Sequence, residues 1–259
     1  MELSGKRCVV TGAAGGIGLA MAKAVLKAGG EHVVLVDLDE ERVARAAADI
    51  GDRASAVAGD VADAALLKRA FAAAGRVDGF FANAGIGTGA VLGEEDDWTA
   101  TMRVNIEAHV TAARLLMPGW AERGEGLWVT TASAAGVLTQ IGDAPYSVSK
   151  AAAVSLAEWL AITYGDRGIH VHCLCPMGVN TNLLNAGLDA DSQSVNVVAA
   201  AGEILEPEDV AKEVLAAIEV NRFMVLPHPE VAEFRRRKVS DTDRWLAGMR
   251  RLQSAVGGA

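Results

Sequence analysis

Seven short apolar runs, at residues 7–10, 33–36, 55–58, 79–82, 127–131, 169–175 and 223–226, alternate with longer, alanine-rich stretches of helical period. The helical stretches fall at 17–28, 40–49, 64–74, 98–121, 147–164 and 207–220. A strand that is apolar throughout, not only at every second residue, is buried on both faces, and intervening helices supply the cover. The pattern therefore predicts an α/β fold: a doubly wound parallel sheet with helices on both faces and right-handed crossovers. A chain of 259 residues holds one large core with hardly room for a second catalytic unit, so 1–259 is read as a single domain.

Two segments depart from this rhythm. Residues 182–203 mix Asn, Gly, Asp, Ser and Gln with Leu and Val and show no clear period. So long a connection beyond a strand's carboxyl end lies where open α/β sheets bind ligands, and it is read as a substrate lid, with a mobile surface loop as the alternative. Residues 228–259 read as a helical tail. It could cover a neighbouring subunit's pocket, a point the sequence leaves open.

A net charge of -9 opposes nucleic acid as a partner, because polyanion binding depends on lysine and arginine. The run Arg235, Arg236, Arg237, Lys238 sits among Glu230, Glu233, Asp241 and Asp243, which suits a solvated helix face. Cys8, Cys173 and Cys175 lie in apolar runs and read as core residues without a disulfide framework. His170 and His172 share a strand face opposite the two cysteines, with no acidic or thiolate partners to converge on a metal, so none is expected. The first residues lack a signal-peptide layout, and no apolar stretch reaches the roughly 18 residues that span a bilayer. A cytoplasmic protein without membrane contact is expected.

The first strand runs into Thr11-Gly12-Ala13-Ala14-Gly15-Gly16-Ile17-Gly18, which opens a helix. Glycines there allow a tight turn and close approach to a pyrophosphate, which the helix N-terminus attracts. This is a dinucleotide cradle of the Rossmann type, spaced Gly-x-x-x-Gly-x-Gly. Asp37 closes the second strand, where a carboxylate binds ribose hydroxyls and repels a 2'-phosphate. NAD is thus expected over NADP, since neighbouring Gly15 and Leu38 are not basic and no arginine is seen to hold the phosphate.

Residues 143–146 read as a helix start with Pro145 at the first position, which puts Tyr146 and Lys150 one turn apart on a shared face. A phenol with a pKa of about 10 becomes a useful base near neutrality only beside positive charge. Lys150 and an oxidised nicotinamide would supply it. Taken singly, Ser133 is also a turn cap, Asn105 a partner for backbone groups, and Lys150 a solvated helix residue.

In order along nearly the whole chain stand Thr11-Gly12-x-x-x-Gly16-Ile17-Gly18, Asp60-Val61, Asn83-Ala84-Gly85, Asn105, Ser133, Tyr146-x-x-x-Lys150 and 176–181. Together they resemble the short-chain dehydrogenase/reductase family, in its branch of about 250 residues. The resemblance implies that Tyr146 is the general acid/base, Ser133 binds the reacting oxygen, Lys150 holds the nicotinamide ribose, and Asn105 positions a water. It also implies that Asp60 and Val61 meet the adenine and that Asn83, Gly85 and Pro176 line the cofactor cleft. Val179 and Thr181 would meet the carboxamide and phosphates. Ala82, Ala132 and Met177 depart from the family's usual residues, and Met177 puts a flexible apolar group near the nicotinamide.

An NAD(H)-dependent oxidoreductase acting on a hydrophobic secondary alcohol or ketone is the reading that follows. Ala135, Val137, Ile141, Met177, Leu183, Leu184, Val195 and Val197 form its expected pocket wall, with Gln140 as a polar contact and no fixed cation. A 3-oxoacyl-thioester reductase is the rival, disfavoured by Asp37. A catalytically silent NAD-binding scaffold is another, disfavoured because Tyr146 and Lys150 are both present. The resemblance further implies a homotetramer, or homodimer, through the helices at 98–121 and 147–164, where Ala151, Ala152 and Ser155 permit close approach.

Overall fold

The computed structural model describes residues 2–189 and 193–256. All seven apolar runs form strands: β1 (Arg7–Thr11), β2 (His32–Asp37), β3 (Ala54–Ala58), β4 (Gly79–Ala82), β5 (Gly126–Thr131), β6 (Ile169–Leu174) and β7 (Met224–Val225). They make one sheet in the order β3-β2-β1-β4-β5-β6-β7, and every neighbouring pair is parallel. Succession reverses between β1 and β4, so a crevice opens beyond their carboxyl ends.

Alternation along the strands divides the core in two. Val9, Val34, Phe80, Trp128 and Cys173 face one side, where α3 (Ala64–Ala74), α5 (Ala108–Arg123) and α7 (Ala144–Tyr164) pack. Val10, Leu35, Phe81, Val129 and Leu174 face the other, covered by α1 (Gly16–Lys27), α2 (Glu40–Ile50) and α10 (Pro207–Glu219). Burial on both sides is what continuous apolar strands require.

Three expectations need correction. The stretch at 98–121 is not one helix: α4 (Glu95–Met102) runs through a five-residue π-helical turn (Arg103–Glu107) into α5. The chain starts to wind three residues early because Asp97 accepts the Glu94 amide at 2.9 Å and three acidic residues favour the positive helix end. Residues 182–203, read as aperiodic, contain α8 (Asn182–Asp189) and α9 (Gln193–Ala201). Helices of 8 and 9 residues are too short to display two full apolar repeats. Finally, Ala144 takes the first position of α7 and Pro145 the second, because Asp143 is the cap and accepts the Tyr146 amide at 3.0 Å.

The tail forms α11 (Pro229–Ser240) and α12 (Thr242–Val256). Helix α11 packs on the short α6 (Ala134–Leu138), and α12 packs on α9. The tail thus closes over this chain's own cleft. Among the described residues no helix is long and apolar enough to cross a membrane.

Candidate active site

A cavity of about 1220 Å³ runs along the carboxyl edge of the sheet. Ordinary small-molecule sites occupy roughly 300–1,000 Å³, so this one has room for two molecules side by side.

Its floor is the glycine loop. At Gly12, with φ +64, a Cβ would lie 2.9 Å from Ala84 Cα, so only glycine lets the β1 and β4 loops touch. The Thr11 hydroxyl binds them by accepting the Asn83 and Ala84 amides, each at 3.0 Å. Helix α1 starts at Gly16 with no acidic residue in its first turn, leaving its amide groups and positive end open to an anion. These features fit a pyrophosphate. Gly12, Gly16 and Ile17 line the cavity, whereas Gly18 packs behind it, where a Cβ would come within 2.2 Å of the Gly12 carbonyl.

Asp37, Leu38, Asp60 and Val61 line one end of the cavity, the end expected to take adenosine. One Asp37 oxygen accepts the Ala14 amide at 2.9 Å. Asp60 accepts the Ala62 amide at 2.9 Å and the Arg103 guanidinium at 3.1 Å. The expectation that no arginine stands here is overturned: Arg42 lines the same end, with its guanidinium 3.2 Å from the position a Cβ on Gly15 would take. The Asn182 amide oxygen, turned toward it, accepts at 3.1 and 2.7 Å. Helical spacing on α2 places Arg42 five residues beyond Asp37, outside the window a β-strand argument inspects.

Asn83, Gly85, Pro176, Val179 and Thr181 line the next section, which leads to Tyr146, Lys150 and Ser133. Asp143 fixes the start of α7 by accepting the Thr88 and Gly89 amides, at 2.8 and 2.7 Å, as well as that of Tyr146. Lys150 is 3% exposed; its ammonium donates to the Thr131 carbonyl at 2.9 Å and sits 5.6 Å from the Tyr146 ring centre. Burial lowers its pKa to about 8. Gly85 admits it, since a Cβ there would lie 2.9 Å from Nζ. The Tyr146 phenol is pushed up, first by burial and then by Asp143 and Cys175; a hydrogen bond with Ser133 opposes this. Within the protein alone, desolvation of the phenolate outweighs the Ser133 hydrogen bond; the lowering expected from Lys150 acting with an oxidised nicotinamide concerns the cofactor-bound site.

Asn105 stands behind the wall, fully buried in the π turn. Its amide donates to the Ile86 carbonyl and the Ser149 hydroxyl, both at 2.9 Å, and its oxygen accepts the Ile86 amide at 2.9 Å. The π turn aims this side chain across to α7 and the β4 loop.

At the far end, Ala135, Gln140, Ile141, Met177, Leu183 and Leu184 line the cavity, together with Val195 and Val197. Val137 does not. It packs against the sheet core, and its carbonyl accepts from Lys238 at 2.9 Å. Four apolar residues of the tail, Phe234, Trp245, Met249 and Leu252, complete the wall, and Arg237, 62% exposed, stands at its rim, so the expectation of no cation there is also corrected. The amphipathic period of 242–256 was the available signal for Trp245, Met249 and Leu252. His228 had none: it is 1% exposed, accepts the Met177 amide at 3.1 Å and donates to the carbonyls of Gly178 and Glu203 at 3.1 and 3.2 Å.

A family model described as short chain dehydrogenase matches residues 6–191. Cis-4-hydroxycyclohexanecarboxylate dehydrogenase of Sinomonas cyclohexanicum is 38% identical over 215 residues, covering 79% of this chain and 85% of that protein. Meso-2,3-butanediol dehydrogenase of Serratia marcescens is 34% identical over 218 residues, covering 82% and 86%. A short-chain dehydrogenase/reductase from Burkholderia phymatum, solved in complex with NAD, superposes with a TM-score of 0.84 at 30% identity, covering 94% of this chain and 96% of that one.

Proposed function

The chain belongs to the short-chain dehydrogenase/reductase family, oxidoreductases acting on CH–OH groups, and on that premise we propose that it interconverts a hydrophobic secondary alcohol and its ketone, using NAD(H) in preference to NADP(H). One observation carries this reading: the glycine cradle and the Ser133, Tyr146 and Lys150 side chains line a single cavity whose far end is largely apolar. Relatives named as dehydrogenases of a diol and of a hydroxycyclohexanecarboxylate, and a structural relative holding NAD, support it.

Gly12, Gly16 and Ile17 hold the pyrophosphate, while Asp37, Leu38, Asp60 and Val61 hold the adenosine. Asn83, Gly85, Pro176, Val179 and Thr181 line the nicotinamide half. When bound, NAD supplies the hydride acceptor and a positive charge beside the phenol. Ser133 Oγ orients the substrate oxygen, and Tyr146 Oη takes its hydroxyl proton in oxidation or returns it in reduction. Lys150, fixed on the Thr131 carbonyl, presents its remaining protons to the ribose and keeps positive potential near Tyr146. Asn105 locks the β4 loop to α7 and so fixes the distance between cradle and phenol.

Tyr146→Phe tests the assignment: turnover should fall by about 10²–10⁴-fold, the usual worth of a positioned acid/base, with NAD binding retained in a fluorescence titration. Unchanged turnover refutes the mechanism. A panel of alcohols and ketones with NAD(H) and NADP(H) tests the cofactor preference, and efficient NADPH-dependent reduction of a 3-oxoacyl thioester would favour the acyl reductase reading. We also propose a homotetramer, or homodimer, through α5 and α7, supported by Leu115 on the first and Val148, Trp159 and Ile162 on the second, large apolar side chains left exposed.

A further inference from the structure

Resting on the alcohol and ketone reading, the geometry points to a substrate that carries a carboxylate at the end remote from its carbinol, bound by Arg237. The cavity's charged side chains divide by place and by prior commitment. Asp37, Arg42 and Asp60 stand at the adenosine end. Asp143 is fully engaged by the amides of Thr88, Gly89 and Tyr146, and Lys150 is buried beside the reacting centre. Among the described lining residues this leaves Arg237 as the charge of the substrate end, with its side chain 62% exposed at the cavity's rim, where Phe234, Trp245, Met249 and Leu252 supply the apolar wall.

Arg237 has positive charge to spare. Its only described acceptor is Glu233, reached through Nε at 2.7 Å. That carboxylate is already held by Arg236 at 2.9, 2.9 and 2.6 Å, so one anion serves two guanidinium groups. Both Arg237 Nη groups are left for a ligand, in the forked geometry that matches a carboxylate. The helix carrying them is held in place: the adjacent Lys238 donates to the Val137 carbonyl at 2.9 Å and the Thr139 hydroxyl at 3.3 Å. These anchors lie in and just after α6, whose cap is Ser133, so the cation is tied to the residue proposed to bind the reacting oxygen. An apolar body between the two ends would meet Met249, Leu252 and the Phe234–Trp245 ring pair, whose centroids are 6.2 Å apart.

The test uses the full-length enzyme with NAD and a series of (ω−1)-hydroxy fatty acids of about six to twelve carbons, each beside its methyl ester. The acid should exceed its ester in kcat/KM by about tenfold at an optimal chain length, as a charge-assisted pair provides, with the gap narrowing as salt is raised. Arg237→Gln should lower the kcat/KM of the acid by about tenfold more than that of the ester, through KM, while Arg237→Lys keeps part of the preference. Esters equal to or better than acids at every length, or an Arg237→Gln loss that is the same for both, would overturn the inference while leaving the alcohol dehydrogenase reading intact. Failure to oxidise any acid or ester while an alcohol of the wider panel is turned over would overturn the inference alone; no turnover of any panel alcohol, with NAD still bound, would overturn both.

Discussion

The His228 ring accepts a hydrogen bond from the Met177 amide, 51 residues away in sequence, at 3.1 Å. Its other nitrogen donates to Gly178 and Glu203, so one neutral imidazole joins the loop after β6 to the end of the lid segment and the start of α11. His228→Ala would leave these buried groups unpaired, costing about 2–4 kcal/mol. We expect a lower Tm and a several-fold rise in KM for NAD, with His228→Gln intermediate because it keeps a donor and an acceptor. Unchanged Tm and KM would remove His228 from the positioning of this loop.

With the cofactor placed as proposed, Asp37 would repel a 2'-phosphate and Arg42 would attract it. Asp37→Ser should therefore raise kcat/KM for NADP by about tenfold or more, the scale of one charge pair. Adding Arg42→Gln should reverse the gain. If the double variant uses NADP as well as the single one, Arg42 has no part in cofactor choice.

Acid should destabilise the fold through two histidines. Burial lowers the pKa of His109 to about 3 and that of His172 to about 4, against about 6.5 in the unfolded chain. Above that unfolded value both rings are neutral in either state, and their stability contribution is fully present. Below it the unfolded chain gains protons that the native state refuses, so stability falls by about 1.4 kcal/mol per pH unit for each ring until the native value is reached. Neither His109 nitrogen has a partner among the described residues, so His109→Leu should roughly halve the slope in urea denaturation between about pH 6.5 and 4.5. An unaltered slope would contradict this account.

Trp159 is 55% exposed and Ile162 83% on the outer face of α7. Light scattering should find the wild-type protein tetrameric or dimeric, and Trp159→Glu should shift it to a smaller species by setting a charge into an apolar contact. A monomeric wild type would refute assembly through this face.

The sheet was legible because most of its strands carry apolar residues at successive positions, as in Val33 to Val36 and Phe80 to Ala82, which burial on both sides explains. The one-turn spacing of Tyr146 and Lys150 and the glycine turn were legible for a similar reason: each is a local relation fixed by backbone geometry. Val137 was misplaced because α6 turns it toward the sheet, and an apolar residue reads the same in a core as in a pocket. The π turn at Asn105 left no compositional mark, since an extra residue in a helix shifts direction and not residue type.

By itself the sequence determined what depends on period and spacing: a two-sided parallel sheet, a tight glycine turn after its first strand, and a phenol and an amine on one helix face. Tertiary structure alone decided which remote segments meet: Arg42 with Asn182, His228 with Met177, and α11 with α6. Those meetings arise from the docking of complete surfaces, which local propensity does not encode. The run at 235–238 stays largely solvated, and packing adds only that Arg237, 62% exposed, stands at the cavity's rim.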